Sequence, residues 1–139
     1  MLTRVTASEH QGLVSSGKTG PSRLVCEKPD GSTVEVVAKF SAGCDEKELS
    51  LIREVVAARL AGDLRLPVPE PFLVEIPDGW PDVVQDLDQR AKIKASSRVA
   101  FGSRLITGGY AVWNDETRIH EGMLPTIDAC LIEVQRVLT

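Results

Sequence analysis

Val34-Glu35-Val36-Val37-Ala38-Lys39-Phe40 is the stretch on which the fold turns. In an extended strand Val34, Val36 and Ala38 point one way, and Glu35, Val37 and Lys39 point the other. A loop, Ser41-Ala42-Gly43-Cys44, follows it. Asp45 then stands as an N-cap, with Glu48 three residues later completing a capping-box pattern. The predicted helix runs from about residue 46 to residue 64. Leu51, Val55, Ala58 and Gly62 fall on one stripe of it, and Glu54 lies at the edge of that stripe beside Leu51, Ala58 and Ala61. A lysine at a strand end and a glutamate on the next helix can meet across a packed helix–sheet interface. A carboxylate among small and apolar neighbours is costly without a cationic partner. The plain alternative is that both side chains face water, as charged side chains usually do.

Upstream, Pro29-Asp30-Gly31-Ser32 has the composition of a turn and joins residues 23–28 to residues 33–40 as an antiparallel hairpin. Before it comes Gly12-Leu13-Val14-Ser15-Ser16-Gly17-Lys18-Thr19, which fits the phosphate-cradling pattern G-x-x-x-x-G-K-[ST]. That motif needs a buried strand before it and a long helix after it. Ala7-Ser8-Glu9-His10-Gln11 does not read as a buried strand, and Gly20-Pro21 breaks the chain after Thr19. A nucleotidase using Gly12 to Thr19 therefore stands as an alternative that a helix after Thr19 would establish. The same residues also read as a turn from Gly17 to Pro21 between strands at 13–16 and 23–27. Its N–H groups either form an anion nest or simply close a hairpin.

Downstream, Leu66-Pro67-Val68-Pro69-Glu70-Pro71 stops the helix. Residues 72–76 form a short strand. Residues 77–97 read as a polar insertion with a short helix and sparse apolar contacts at Val83, Val84, Leu87 and Ile93, whose order the sequence leaves open. Residues 98–106 return to strand. From Leu124 onward Ile127, Leu131, Val134 and Leu138 have helical spacing. The expected class is α+β: a twisted antiparallel sheet of about five strands packed by one main helix, plus a C-terminal helix.

The composition sets bounds on function. The 139 residues carry a net charge of −4, with 42% hydrophobic and 26% charged residues, as in ordinary globular domains. There is no long basic run, so nucleic acid is not an expected partner. Neither a signal-peptide core nor a membrane-spanning apolar run is present in the sequence, and a cytoplasmic location is expected. Cys26, Cys44 and Cys130 lack paired spacing, and with His10 and His120 they do not form a zinc pattern. No metal ligands are assigned.

In protein kinases a strand lysine holds the nucleotide phosphates and a helix glutamate holds that lysine. The order here is hairpin, strand with lysine, helix with glutamate, strand, strand, helix. It resembles the small lobe of a HipA-like kinase. The resemblance is carried by Gly17-Lys18-Thr19-Gly20-Pro21, Val36-Val37-Ala38-Lys39-Phe40, Glu54 with Ala57-Ala58-Arg59-Leu60, Leu66-Pro67-Val68-Pro69-Glu70-Pro71 and Phe101-Gly102-Ser103. It covers residues 12–106, within a small lobe spanning 1–110 with its insertion at 77–97. Residues 111–139 would be an extension and helix, a possible start of a missing large lobe.

The resemblance implies a bacterial serine/threonine protein kinase that uses ATP and magnesium and whose founding members are toxins paired with antitoxins. Lys39 would contact the α and β phosphates and Glu54 would orient it. Gly17, Lys18, Thr19 and Gly20 would cover the phosphates, and the backbone near Phe101 to Leu105, Ser103 included, would line the adenine pocket. A kinase also needs a catalytic aspartate, an asparagine and a metal-binding aspartate from a second lobe. Asp115 and Asp128 sit in no such motif, so no catalytic residue is assigned. The expectation is a truncated or split lobe that binds ATP, with magnesium once a large lobe is supplied, and does not transfer phosphate by itself. The competing expectation is a non-catalytic interaction module, docking on a large-lobe or regulatory partner or forming a homodimer through apolar surface.

Overall fold

The structure, a computed structural model, describes residues 2–14, 18–107, 132, 135 and 136. The chain divides into two units, Met1–Ile106 and Thr107–Thr139. In the second unit the described residues Ile132, Gln135 and Arg136 are helical. The rest of the expected C-terminal helix lies outside the described residues.

The first unit contains five strands, β1 (Thr3–Leu13), β2 (Ser22–Glu27), β3 (Thr33–Lys39), β4 (Pro71–Glu75) and β5 (Val99–Arg104), and two helices, α1 (Glu48–Asp63) and α2 (Leu87–Ala95). The class is α+β. The sheet is not open, however. It closes into a small barrel in the order β1-β2-β3-β5-β4. The expected all-antiparallel sheet is corrected as well, because β1 and β4 run parallel, with Thr3 to Thr6 beside Phe72 to Glu75.

Closure is a property of β1. It is eleven residues long, and register shifts between Ala7 and Glu9 and between His10 and Leu13 bend it. Such bulges add twist and turn a strand away from a flat sheet. One half of β1 then pairs with β2 and the other with β4. The strand that follows Gly20 also settles the phosphate-loop motif. Residues 22–27 form an antiparallel strand, not a helix, so the local architecture that a P-loop requires is missing after Thr19.

The alternation read from β3 is the alternation observed: Val34, Val36 and Ala38 are buried, while Glu35, Val37 and Lys39 are half-buried on the outer face. Inside the barrel they meet Val5, Ala7, Leu24, Cys26, Phe72, Val74 and Ala100. The insertion at 77–97, whose order the sequence left open, contributes to the core. Trp80, Val84 and Ile93 join the same cluster, and Gln89 is buried with them. Of its four expected apolar contacts, Val84 and Ile93 are buried, but Val83 and Leu87 are exposed. Asp86 caps α2 by accepting from the Gln89 N–H at 3.0 Å.

Candidate functional site

Lys39 ends β3 on its outer face, and Glu54 sits near the middle of α1. Lys39 Nζ donates to Glu54 Oε1 at 2.5 Å. Both side chains remain about one-third exposed, so the pair is open to solvent and to a ligand. In register, Lys39 lies opposite Phe101 and Val37 lies opposite Ser103. These four residues form the strand wall of a cleft of about 380 Å³. Ala57, Ala58 and Ala61 of α1 form the facing wall, and Val68 and Pro69 close one end. The alanines are what let helix and sheet stand close enough for the ion pair while leaving room between them. The volume lies in the range of small-molecule sites, and a mainly apolar lining with a few polar groups is their usual make-up.

α1 is anchored by the buried Leu51 and the partly buried Val55 and Ala58, which pack with Cys44 and Phe101. The stripe read from the sequence is thus the stripe that packs, except that Gly62 is exposed. The capping box is not formed. The N-cap is Lys47, with φ of 50°, and no side chain caps the first turn. Residues 44–47 turn before the helix begins, and the Glu46 N–H is taken by Ser50 Oγ at 3.2 Å. Glu46 itself pairs with Arg53.

Of the glycine-containing turn, Gly17 lies outside the described residues. Lys18 is exposed, and Thr19 and Gly20 are half-buried. Pro21 O accepts from the Val14 N–H at 2.9 Å, which closes the loop between β1 and β2. Gly20 has φ of 56°, a left-handed conformation that glycine adopts without strain. The expected strand at 13–16 stops at Leu13. The structure therefore brings Lys39, Glu54, Phe101 and Ser103 around one cleft. Lys18, Thr19 and Gly20 belong to a different loop, beside the Ser41–Gly43 turn.

A residue that sequence reasoning passed over joins these loops. Lys92 of α2 donates to Gly20 O at 2.6 Å and reaches Thr19 O at 3.4 Å. Nothing in the sequence marks it, because its partners are backbone carbonyls. Ser96 Oγ accepts from the Ala42 N–H, and Ser41 Oγ accepts from the Ser97 N–H, so the end of α2 is tied to the turn that follows β3. Cys44 is buried, and burial pushes its thiol up from the ordinary cysteine value, against the opposing influence of Lys39. Burial raises the Cys26 thiol to about 12, so it stays protonated and inert in the folded chain.

A second hollow, about 230 Å³ and almost wholly apolar, lies where α1 meets the middle of β4 and the start of β5. It is lined by Leu51, Ile52, Val55, Leu73, Val99 and Phe101, among others. Among the described residues no three His, Cys, Asp or Glu side chains cluster as a metal site, and no helix is long and apolar enough to cross a membrane. No protein-family model, no curated protein and no solved structure matches the chain.

Proposed function

We propose that this chain is the nucleotide-binding small lobe of a HipA-like kinase, engaging the phosphates of ATP through Lys39 while Glu54 holds that lysine. The observation that carries the reading is the 2.5 Å contact between a strand-end lysine and a helix glutamate beside an open cleft. Val37, Phe101 and the α1 alanines offer an apolar surface for a base, and Lys39 offers a charge for the phosphates, so the residues present fit a nucleotide. In this reading the chemistry is phosphoryl transfer to a serine or threonine of a protein, in the bacterial cytoplasm. The base and the magnesium-binding carboxylates come from a second lobe. A nucleotide held on one face should bind weakly, with Kd of roughly 0.1–1 mM.

Calorimetry with ATP and magnesium tests this on the wild type, Lys39→Met and Glu54→Gln. We expect weak binding that Lys39→Met reduces by at least about tenfold, with a smaller loss for Glu54→Gln. Absence of any ATP binding to the wild type, with or without a large-lobe partner, would sink the reading. The pair is partly exposed, so each variant should cost no more than about 1 kcal/mol of stability. Lost binding therefore cannot be blamed on unfolding.

A second reading is favoured by the outer face of α1. Leu49, Ile52, Val56, Leu60 and Leu64 are each 47–56% exposed and fall on one stripe opposite Leu51 and Ala58. A helix apolar on both sides is normally buried on both. In that reading the chain is an interaction module for a kinase lobe, a regulatory protein or a second copy. A monomer on size-exclusion chromatography that takes up no apolar dye would count against it.

A further inference from the structure

Of the sixteen residues of α1 only Leu51 is buried. Leu49, Ile52, Val56, Leu60 and Leu64 each leave about half of their surface in water. A helix of this length is marginal without packing, so its outer stripe is unused stabilisation. The stripe is close to symmetric about Val56. Ile52 and Leu60 stand four positions to either side of it, and Leu49 and Leu64 stand seven and eight. Ile52, Val56, Leu60 and Leu64 form a ridge of i, i+4 spacing, the kind that interdigitates with a ridge of the same spacing on a second helix.

The two halves of the stripe differ in their surroundings. Beside the N-terminal half lies the apolar hollow of about 230 Å³, with Ile52 in its wall next to Leu51 and Val55. The C-terminal half carries Leu60 and Leu64. An antiparallel copy brings the leucines of each chain to the hollow of the other, so the same contact forms twice; a parallel copy sets hollow against hollow.

Charge permits self-pairing at this face. The chain carries a net charge of −4, which opposes association of two copies in general. Every charged residue between Leu49 and Leu64 is nonetheless paired within its own copy: Arg53 with Glu46, Glu54 with Lys39, and Arg59 with Asp63 at 3.5 Å. A two-fold axis sets a face against itself, and locally cancelled charges spare it like-charge contact. The stripe and the rim of the hollow amount to a few hundred Å² of apolar surface per copy, more than a monomer needs to expose but below the ~800 Å² per partner of a standard interface. That area suits a weak pair that forms and separates with concentration.

Resting on the interaction reading above, we propose that the occupant of this face is a second copy of the chain, its α1 packed antiparallel on the first about a two-fold axis beside Val56. None of the five stripe residues lines the Lys39 cleft, so the pairing leaves that cleft to its own ligand.

The test is sedimentation velocity on the full chain at rising concentration, for wild type and Val56→Glu, with uptake of an apolar dye measured in parallel. The wild type should pass from monomer to dimer in the micromolar range, and Val56→Glu should stay monomeric with an unchanged far-ultraviolet spectrum. Cross-linking locates the axis. In a Cys130→Ser background Val56→Cys should give a disulfide-linked dimer under mild oxidation, because the axis sets Val56 beside its mate. Leu64→Cys should not, because eight residues on either side of the axis hold the two thiols about 24 Å apart. A dimer that Val56→Glu leaves intact overturns the proposal, as does linkage of Leu64→Cys as readily as Val56→Cys. A wild-type monomer whose dye uptake is lost in Val56→Glu overturns the second copy and leaves the interaction reading with a different partner. A monomer with no uptake, or with uptake unchanged in Val56→Glu, overturns both. Should Val56→Glu not fold, the comparison of Val56→Cys with Leu64→Cys decides by itself.

Discussion

At Gly102 an added Cβ would stand 2.7 Å from Val74 Cγ2 and 3.4 Å from Val36 Cγ2, across the barrel interior. β5 needs a missing side chain there, because β3 and β4 flank it closely in register at Ala38 and Phe72. Gly102→Ala should lower stability by about 1–3 kcal/mol, the usual cost of overpacking. Gly62, on α1, has nothing within 4 Å of the same position. Gly62→Ala should instead raise stability by about 0.5–1 kcal/mol, since it removes chain entropy without a clash. Urea unfolding of the two variants, side by side, checks the opposite signs. Two losses, or two gains, would mean that the space around these glycines has been misjudged.

The ends of α1 are each built on a non-glycine residue with positive φ, Lys47 at 50° and Arg65 at 56°. At the C-terminal end the Leu66 N–H donates to Ala61 O at 2.9 Å and the Arg65 N–H donates to Gly62 O at 3.0 Å. This is the paired bonding of a Schellman motif, in which Arg65 occupies the left-handed position that glycine prefers. Arg65→Gly should therefore stabilise the chain by about 1 kcal/mol, read as a higher thermal midpoint. A lower midpoint would show that the Arg65 side chain contributes more than its backbone costs. The turn matters for the site because residues 64–70 carry Val68 and Pro69 to the end of the cleft. Asp45 and Glu48 match the capping-box pattern by spacing, yet the chain does not use it. A four-residue turn intervenes, and the pattern says nothing of where the preceding strand releases the chain.

On the scale of the whole molecule, the barrel and the insertion behave as one body, joined by polar contacts in the interior. Ser22 is fully buried. Its Oγ donates to Gln89 Oε1 at 3.2 Å and lies 3.1 Å from His10 Nε2, and the His10 ring faces Trp80. Burial holds the His10 imidazole below its ordinary 6.5, with Asp86 opposing and Lys92 reinforcing the shift. Above that value neither the folded nor the unfolded chain protonates it, and its contribution is complete. As pH falls from 6.5 toward the lower folded value, the unfolded chain takes up a proton that the folded chain resists, so stability falls. Urea midpoints measured between about pH 7.5 and 5.5 should decline in the wild type, and His10→Gln should lessen the decline. An equal decline in His10→Gln would assign the acid sensitivity elsewhere.

Local periodicity carried much of this protein on its own. The alternation in Val34-Glu35-Val36-Val37-Ala38-Lys39 placed one face inward, and the Leu51, Val55 and Ala58 spacing chose the packed side of α1. The fifteen positions between Lys39 and Glu54 were enough to suggest their meeting. Closure of the barrel was not legible, because it depends on where β1 bends, and the polar string Ser8-Glu9-His10-Gln11 gives no sign of which edge it will pair with. The burial of the insertion was hidden for a related reason. Ser22 and Gln89 satisfy each other inside the core, so two polar residues there look like surface until their partners are known. Lys92 is the clearest case. A lysine bound to backbone carbonyls has no counterpart in the side-chain alphabet. Its place is decided by which loops the tertiary structure brings within reach of α2, because backbone carbonyls and not a side-chain pattern satisfy it.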